Sequence, residues 1–363
     1  MRRLLLLLCL LPLVSLQAQT QSVDSVVYRA LNNAQQAQDA GDLAQAQLTL
    51  REALASARED SLEAALLHQR LGYLAIARDD YPAAIAGLRA ALDSGQLANE
   101  AARQDQLNLA QLYLLREQAQ PAIELLLAAR REAPLPLSSK RLLVQAYMQT
   151  SDYRAALPLA EAVVAADASV EDTWYQLLVG LNHRLQRYPA AVDWQQVLVR
   201  RNPGSIGAWR QLAGLQSMAG QQQAAAASLR LAREAGLNLT EQDMDNLIAL
   251  QVQADAPWQA ARLTEELMAA DLLAPGPSRQ QQLAQLWQQA RDHERAMAAW
   301  TQVAEASGRA DHWLQLAGLH LQQADWPALM AALERADANA NSRQRQQIAA
   351  WRSYARQHIE AAE

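Results

Sequence analysis

The sequence predicts an all-α fold, an α-solenoid of about nine helical hairpins closed by one further C-terminal helix. Three observations predict it. The first is a recurring phrase: a small or polar corner, an alanine, then apolar residues four and three positions further on. It reads Asp42-Leu43-Ala44-Gln45-Ala46 with Leu50 and Ala53, and Tyr81-Pro82-Ala83-Ala84 with Leu88 and Ala91. It returns around Ala122, Ala156, Ala191, Ala225, Ala261, Ala296 and Leu329. Self-similarity at a fixed period of about 34 residues marks stacked helical repeats. The second is composition: 51% of residues are hydrophobic but only 5% aromatic, with no Phe. The apolar share is mostly Ala and Leu, and Gln fills many polar positions; all three are strong helix formers. The third is punctuation, because breakers such as Asn202-Pro203-Gly204 and Pro275-Gly276-Pro277 fall at repeat junctions, where helices must end. A globular chain of 363 residues would divide into two or three domains. Stacked repeats avoid this, since each unit packs only on its neighbours.

The elements follow in order. Arg2-Arg3, an apolar run from Leu4 to Val14 and a small residue at Ala18 describe a secretory signal peptide over 1–18. That run is too short for a membrane span of ~20 residues. Cys9 is no lipoprotein acceptor, because Leu8 stands where a small residue is needed. Cleavage leaves a chain without cysteine, so disulfides and thiol chemistry are excluded and a periplasmic location is expected. Residues 19–26 form a linker. The array covers 27–341, with repeats beginning near Val27, Ala65, Arg103, Leu137, Asp172, Ile206, Gln242, Pro277 and Ala310. Each first helix carries apolar or small residues at positions 4, 7, 8 and 11, and each second helix at 20, 24 and 27. Those spacings place one apolar stripe on each member of an antiparallel pair. Small residues at 8 and 20 let the two backbones approach. Leu329 stands where the ninth repeat needs a small residue, so that pair is expected to be splayed or differently packed. Residues 342–363 read as a capping helix with Ile348, Trp351, Tyr354 and Ala355 on one side.

These residues resemble the tetratricopeptide repeat family. The matches are Leu71-Gly72 with Tyr81 and Ala84; Leu109-Ala110 with Tyr113, Ala122 and Pro134; Leu143 with Tyr147, Tyr153 and Ala156; and Leu178 with Tyr188, Ala191 and Pro203. Trp209 with Leu212-Ala213 and Ala225, and Trp313 with Leu316-Ala317 and Trp326, complete the series. The resemblance implies a right-handed superhelix with a concave peptide-binding groove. The stretch 202–336 resembles a narrower group, the periplasmic tetratricopeptide proteins found with TonB-type energy-transduction systems of proteobacteria. It carries Trp209-Arg210-Gln211-Leu212-Ala213, Asp245-Asn246-Leu247 and Pro257-Trp258-Gln259-Ala260-Ala261. That likeness implies a part in the uptake of iron chelates.

No catalytic constellation is present, so an enzyme is not expected, and no cofactor is called for. The six His residues lack a second His or Cys at metal-ligand spacing on a helix, so no metal is expected. A net charge of −6 and no basic block argue against nucleic acid and against an anionic membrane surface. Stable membrane insertion after signal cleavage is likewise not expected. The candidate site is the groove lined by first helices, where positions 2, 5, 9, 12 and 13 point inward. Its centre holds Arg141, Gln145, Gln176, His183, Arg184 and Arg210, side chains suited to a peptide backbone and its carboxylates. A solvated face with scattered polar residues is the plainer reading of the same positions. The expected partner is a protein or peptide segment, with TonB-system components first. An assembly factor for exopolysaccharide export or outer-membrane biogenesis, and a binding domain beside a separate enzyme, are the alternatives. Reversing Arg184 and Arg210 together is expected to weaken binding with little change in melting temperature.

Overall fold

The computed structural model describes residues 23–167 and 169–360. The signal peptide, Cys9 and the first four linker residues lie outside the described residues. Among the described residues every element is a helix, and the helices follow one another as hairpins. The chain divides into two compact units at Val170–Glu171.

The first unit holds four hairpins. They are α1 (Ser25–Asp39) with α2 (Leu43–Ser56), α3 (Leu62–Ala77) with α4 (Tyr81–Asp93), α5 (Asn99–Leu115) with α6 (Ala119–Glu132), and α7 (Leu137–Gln149) with α8 (Tyr153–Ala166). The second unit holds five: α9 (Asp172–Arg184) with α10 (Tyr188–Arg201), α11 (Ile206–Met218) with α12 (Gln222–Glu234), α13 (Glu241–Gln253) with α14 (Pro257–Ala269), α15 (Pro277–Gln289) with α16 (His293–Ser307), and α17 (Ala310–Gln322) with α18 (Trp326–Asp337). The last helix, α19 (Ser342–Glu360), packs on α18.

One device closes all nine hairpins. A single residue in the left-handed region follows each first helix: Gly41, Asp79, Glu117, Ser151, Gln186, Gly220, Asp255, Arg291 and Ala324. The next residue then sends its N–H back across the turn, as from Asp80 to Ala75, Gln118 to Tyr113 and Asp325 to His320. This satisfies carbonyls that the helix end would otherwise leave unpaired. The same residue begins the second helix, and as Asp42, Asp80, Asp152, Asp292 or Asp325 its carboxylate also accepts an N–H of the new first turn. One short turn thus ends one helix and starts its antiparallel partner.

Packing follows the apolar stripes. The alanines at the second-helix contact, Ala84, Ala122, Ala156, Ala191, Ala225, Ala261 and Ala296, are fully buried. In α3–α4 the helices meet at their backbones, because Gly72 and Gly87 both face the contact. Leu329 is the exception to this pattern, and it does not splay its hairpin. It is fully buried beside Ala332 and Leu333, and α17 and α18 pack together as fully as the other pairs. The small Ala317 of α17 is fully buried in the same apolar cluster. On α19, Ile348 and Ala355 are buried. Tyr354 instead stands exposed, with its edge against Trp326 at 6.0 Å, while His358 stacks on the same indole at 5.1 Å.

Candidate functional site

Hydrogen bonds between repeats sort the helices of each unit into two layers. Gln69 and Tyr73 of α3 reach Asp105 of α5, and Arg210 of α11 reaches Asp243 of α13, so first helices lie beside first helices. Arg233 of α12 meets Glu266 of α14 at 2.7 Å, joining second helices in the other layer. With Glu241, the first residue of α13, opening the seventh repeat one residue before the expected Gln242, Leu71-Gly72, Leu109-Ala110, Leu212-Ala213 and Leu247-Ile248 stand at the seventh and eighth positions, all buried except the half-buried Leu71. Antiparallel pairs at this spacing, in two layers and with small residues at the crossing, decide the architecture. Each unit has the tetratricopeptide-repeat fold.

No protein-family model matches the chain, and no curated protein matches it. Solved structures similar to it include a tetratricopeptide repeat protein from Parabacteroides merdae, 16% identical, with a TM-score of 0.39, over 72% of this chain and 98% of that one. The P58(IPK) TPR domain is 12% identical with a TM-score of 0.28, over 93% of this chain and 99% of that one. YrrB, described as a TPR protein with an unusual peptide-binding site, is 14% identical with a TM-score of 0.39, over 51% of this chain and 91% of that one. The hairpin register of this chain itself carries the fold.

The six candidate residues fall in two places. Arg141 and Gln145 lie on α7 of the first unit; Gln176, His183 and Arg184 lie on α9, and Arg210 on α11, of the second. Gln145, Gln176, His183 and Arg184 are exposed. His183 packs edge-on against Tyr188 at 5.8 Å. Arg141 bonds to Asp167 at 3.2 Å, in the segment that leaves α8. Arg210 is committed more firmly, placing two parallel hydrogen bonds of 2.7 and 2.6 Å on the carboxylate of Asp243. Arg210 is therefore a joint between repeats, and reversing its charge is now expected to lower stability.

That joint belongs to a series not foreseen in the sequence. A side chain at position 5 of one first helix binds position 3 of the next: Gln69 to Asp105, Arg210 to Asp243, and Asp245 to Arg279. The last pair inverts the charges of the second. Asp243 carries a further duty, accepting from the Thr240 backbone and hydroxyl at 2.7 and 2.8 Å in a capping box at the start of α13. The signal lay in the period: these partners are separated by 36, 33 and 34 residues. A spacing of one repeat less two positions, joining a donor to an acceptor, is the pattern to seek.

The two buried carboxylates at position 3 titrate in opposite senses. Burial pushes Asp105 above the ordinary carboxylate range, against hydrogen bonds from Tyr73 and Gln69, which are both neutral. Burial and the charge of Asp105 in turn push the Tyr73 phenol upward, while Asn108 donates to its oxygen at 2.8 Å. Burial also works to raise Asp243, but the hydrogen bonds from Arg210 and Thr240 outweigh it and hold it below the range. Folded Asp105 keeps a proton that the unfolded chain has lost, so its contribution to stability declines as pH rises through the raised value. The contribution of Asp243 is present above the ordinary value and is lost as pH falls through the lowered one. Asp105→Asn is thus expected to flatten the pH dependence of α3–α5 just above the ordinary carboxylate range, as read by amide hydrogen exchange. Asp243→Asn is expected to lower stability at neutral pH, read by tryptophan fluorescence, since every tryptophan lies in the second unit. An unchanged slope for Asp105→Asn would contradict the assignment.

Among the described residues, no three His, Cys, Asp or Glu side chains come together as a metal site. No helix there is long and apolar enough to cross a membrane. The first-helix face of the second unit has one more feature. Gly180 on α9 and Gly214 on α11 share position 9, are exposed, and have nothing within 4 Å of where a Cβ would stand.

Proposed function

We propose that the chain is a non-catalytic scaffold that binds a protein or peptide segment along the first-helix face of its second unit. The observation that carries this reading is the pair Gly180 and Gly214. A glycine inside a helix costs about 1 kcal/mol relative to alanine. Neither glycine is required by packing, since both look onto open space. Two such positions in one register leave a low floor on which another backbone can lie close to the helices. Gln176, His183 and Arg184 stand on the same helix as Gly180 and supply donors for peptide carbonyls and carboxylates.

The finer reading places the protein in the periplasm, in the service of TonB-dependent uptake of iron chelates. Its support is the leader over 1–18 and the resemblance of 202–336. Capture from periplasmic extract tests it: energy-transduction motor and receptor proteins are the expected partners, and export-synthase or pore subunits would move the role to envelope assembly. The groove itself is tested by Gly180→Leu with Gly214→Leu. Both sites are open, so the variant is expected to melt no lower than the parent, yet to lose its partner. Partner capture at parental strength would overturn the groove.

A further inference from the structure

Three second helices open with an aromatic residue followed by proline: Tyr81-Pro82 in α4, Tyr188-Pro189 in α10 and Trp326-Pro327 in α18. The leading aromatic ring is half-buried in each case. In α14 the order is inverted to Pro257-Trp258. Proline still suits the first turn, where its missing N–H is not needed. The inversion moves the indole one position along, about 100° around the helix. Trp258 is consequently 46% exposed, the only one of nine tryptophans among the exposed large apolar side chains.

The displaced indole stands at a cleft of about 450 Å³ between α12 and α14 in the second-helix layer. Leu247 and Leu263 form its apolar floor. Gln251 lines it too, and the amide oxygen of Gln251 is buried with no hydrogen-bond partner. A buried acceptor left in this state costs free energy, which a donor from outside would recover. Three guanidinium groups, outnumbering the carboxylates of Glu234 and Glu266, line the wall. Arg233 is held by Glu266 at 2.7 Å. Arg230 and Arg262 are held only loosely, 3.6 and 3.9 Å from carboxylates on their own helices, and Arg262 lies over the Trp258 ring at 5.8 Å. Exposed pairs of this kind contribute little to folding, so both arginines can turn to another carboxylate. Tryptophan and arginine around an apolar floor are the side chains that dominate protein-recognition sites.

We propose that this cleft is a second docking site, which takes an acidic segment of a partner protein bearing an aliphatic or aromatic side chain next to a carboxylate. The apolar side chain lies on Trp258 and Leu263, the carboxylate meets Arg230 and Arg262, and a backbone N–H donates to Gln251. The site is on the layer opposite the first-helix face, so it stands or falls separately from the groove.

The test uses the full chain and a fluorescein-labelled, acetylated peptide alternating aspartate with leucine, with a lysine–leucine peptide as control. Fluorescence anisotropy is expected to show saturable binding of the aspartate peptide and little of the lysine one. Trp258→Ala, and separately Arg230→Glu with Arg262→Glu, are expected to weaken it at least about tenfold, a loss typical of a central anchor. Trp258→Phe is expected to retain most of the binding. Circular dichroism should show parental melting for all of them, because the altered side chains are exposed. The Gly180→Leu, Gly214→Leu variant should bind the peptide as the parent does. Absence of binding at about 1 mM peptide, equal binding of the lysine peptide, or an undiminished affinity in Trp258→Ala would each overturn the proposal.

Discussion

Gly87→Ala is expected to destabilise the first unit although alanine is the better helix former. A Cβ at Gly87 would stand 2.8 Å from the Gly72 amide nitrogen, 2.9 Å from its Cα and 2.9 Å from the His68 carbonyl oxygen. All three are backbone atoms of α3, so no side chain can swing away and the helices themselves must part. Overpacking of this kind costs ~1–3 kcal/mol and more where backbones collide, against a propensity gain of about 1 kcal/mol. Gly72→Ala meets Leu88 at 2.9 Å, partly through a side chain, and should cost less. Gly214→Ala is the control, because its surroundings are open and only the propensity gain operates. Urea unfolding of the three variants should therefore give opposite signs for Gly87 and Gly214. A stabilised Gly87→Ala would mean that α3 and α4 do not touch as described.

Arg210→Glu is expected to be the most damaging charge change in the second unit. The carboxylate of Asp243 is 6% exposed, and the guanidinium that compensates it is 41% exposed. Truncating such a pair leaves a buried charge without its partner, and reversing it sets two carboxylates face to face. Asp243 would then shed its charge at a higher pH, and the capping box with Thr240 would weaken with it. Tryptophan fluorescence during thermal unfolding should show a clear drop, steeper at neutral than at acid pH, whereas Arg184→Glu should change little. The neighbouring joint supplies a check. Arg279 at position 3 and Asp245 at position 5 show that the same register accepts the opposite polarity. The swap Arg210→Asp with Asp243→Arg should recover part of the loss. Recovery stays incomplete, since arginine cannot accept from the Thr240 amide. Equal melting temperatures for Arg210→Glu and the parent would remove the joint from the account.

The groove candidates show where reading by position reaches its limit. Position 5 points along the first-helix face, and the sequence places Gln176 and Arg210 there alike. Gln176 remains exposed, while Arg210 is drawn into a joint, because the next first helix offers Ala208 to Gln176 and Asp243 to Arg210. Trp258 makes the complementary point. Its spacing resembles that of a packing aromatic, and a one-residue inversion with proline leaves it nearly half exposed.

The sequence alone determined the all-α class, the hairpin period, the small residues where helices cross and the turns that reverse the chain. These depend on side chains within one repeat, where spacing along the helix already defines the face. Tertiary structure decided the joints between repeats, the closed packing around Leu329, the opposite titration of Asp105 and Asp243, and the exposure of Trp258. Each depends on which atom of a neighbouring repeat comes within a few ångströms, and periodicity specifies which repeat is adjacent but not which side chains meet.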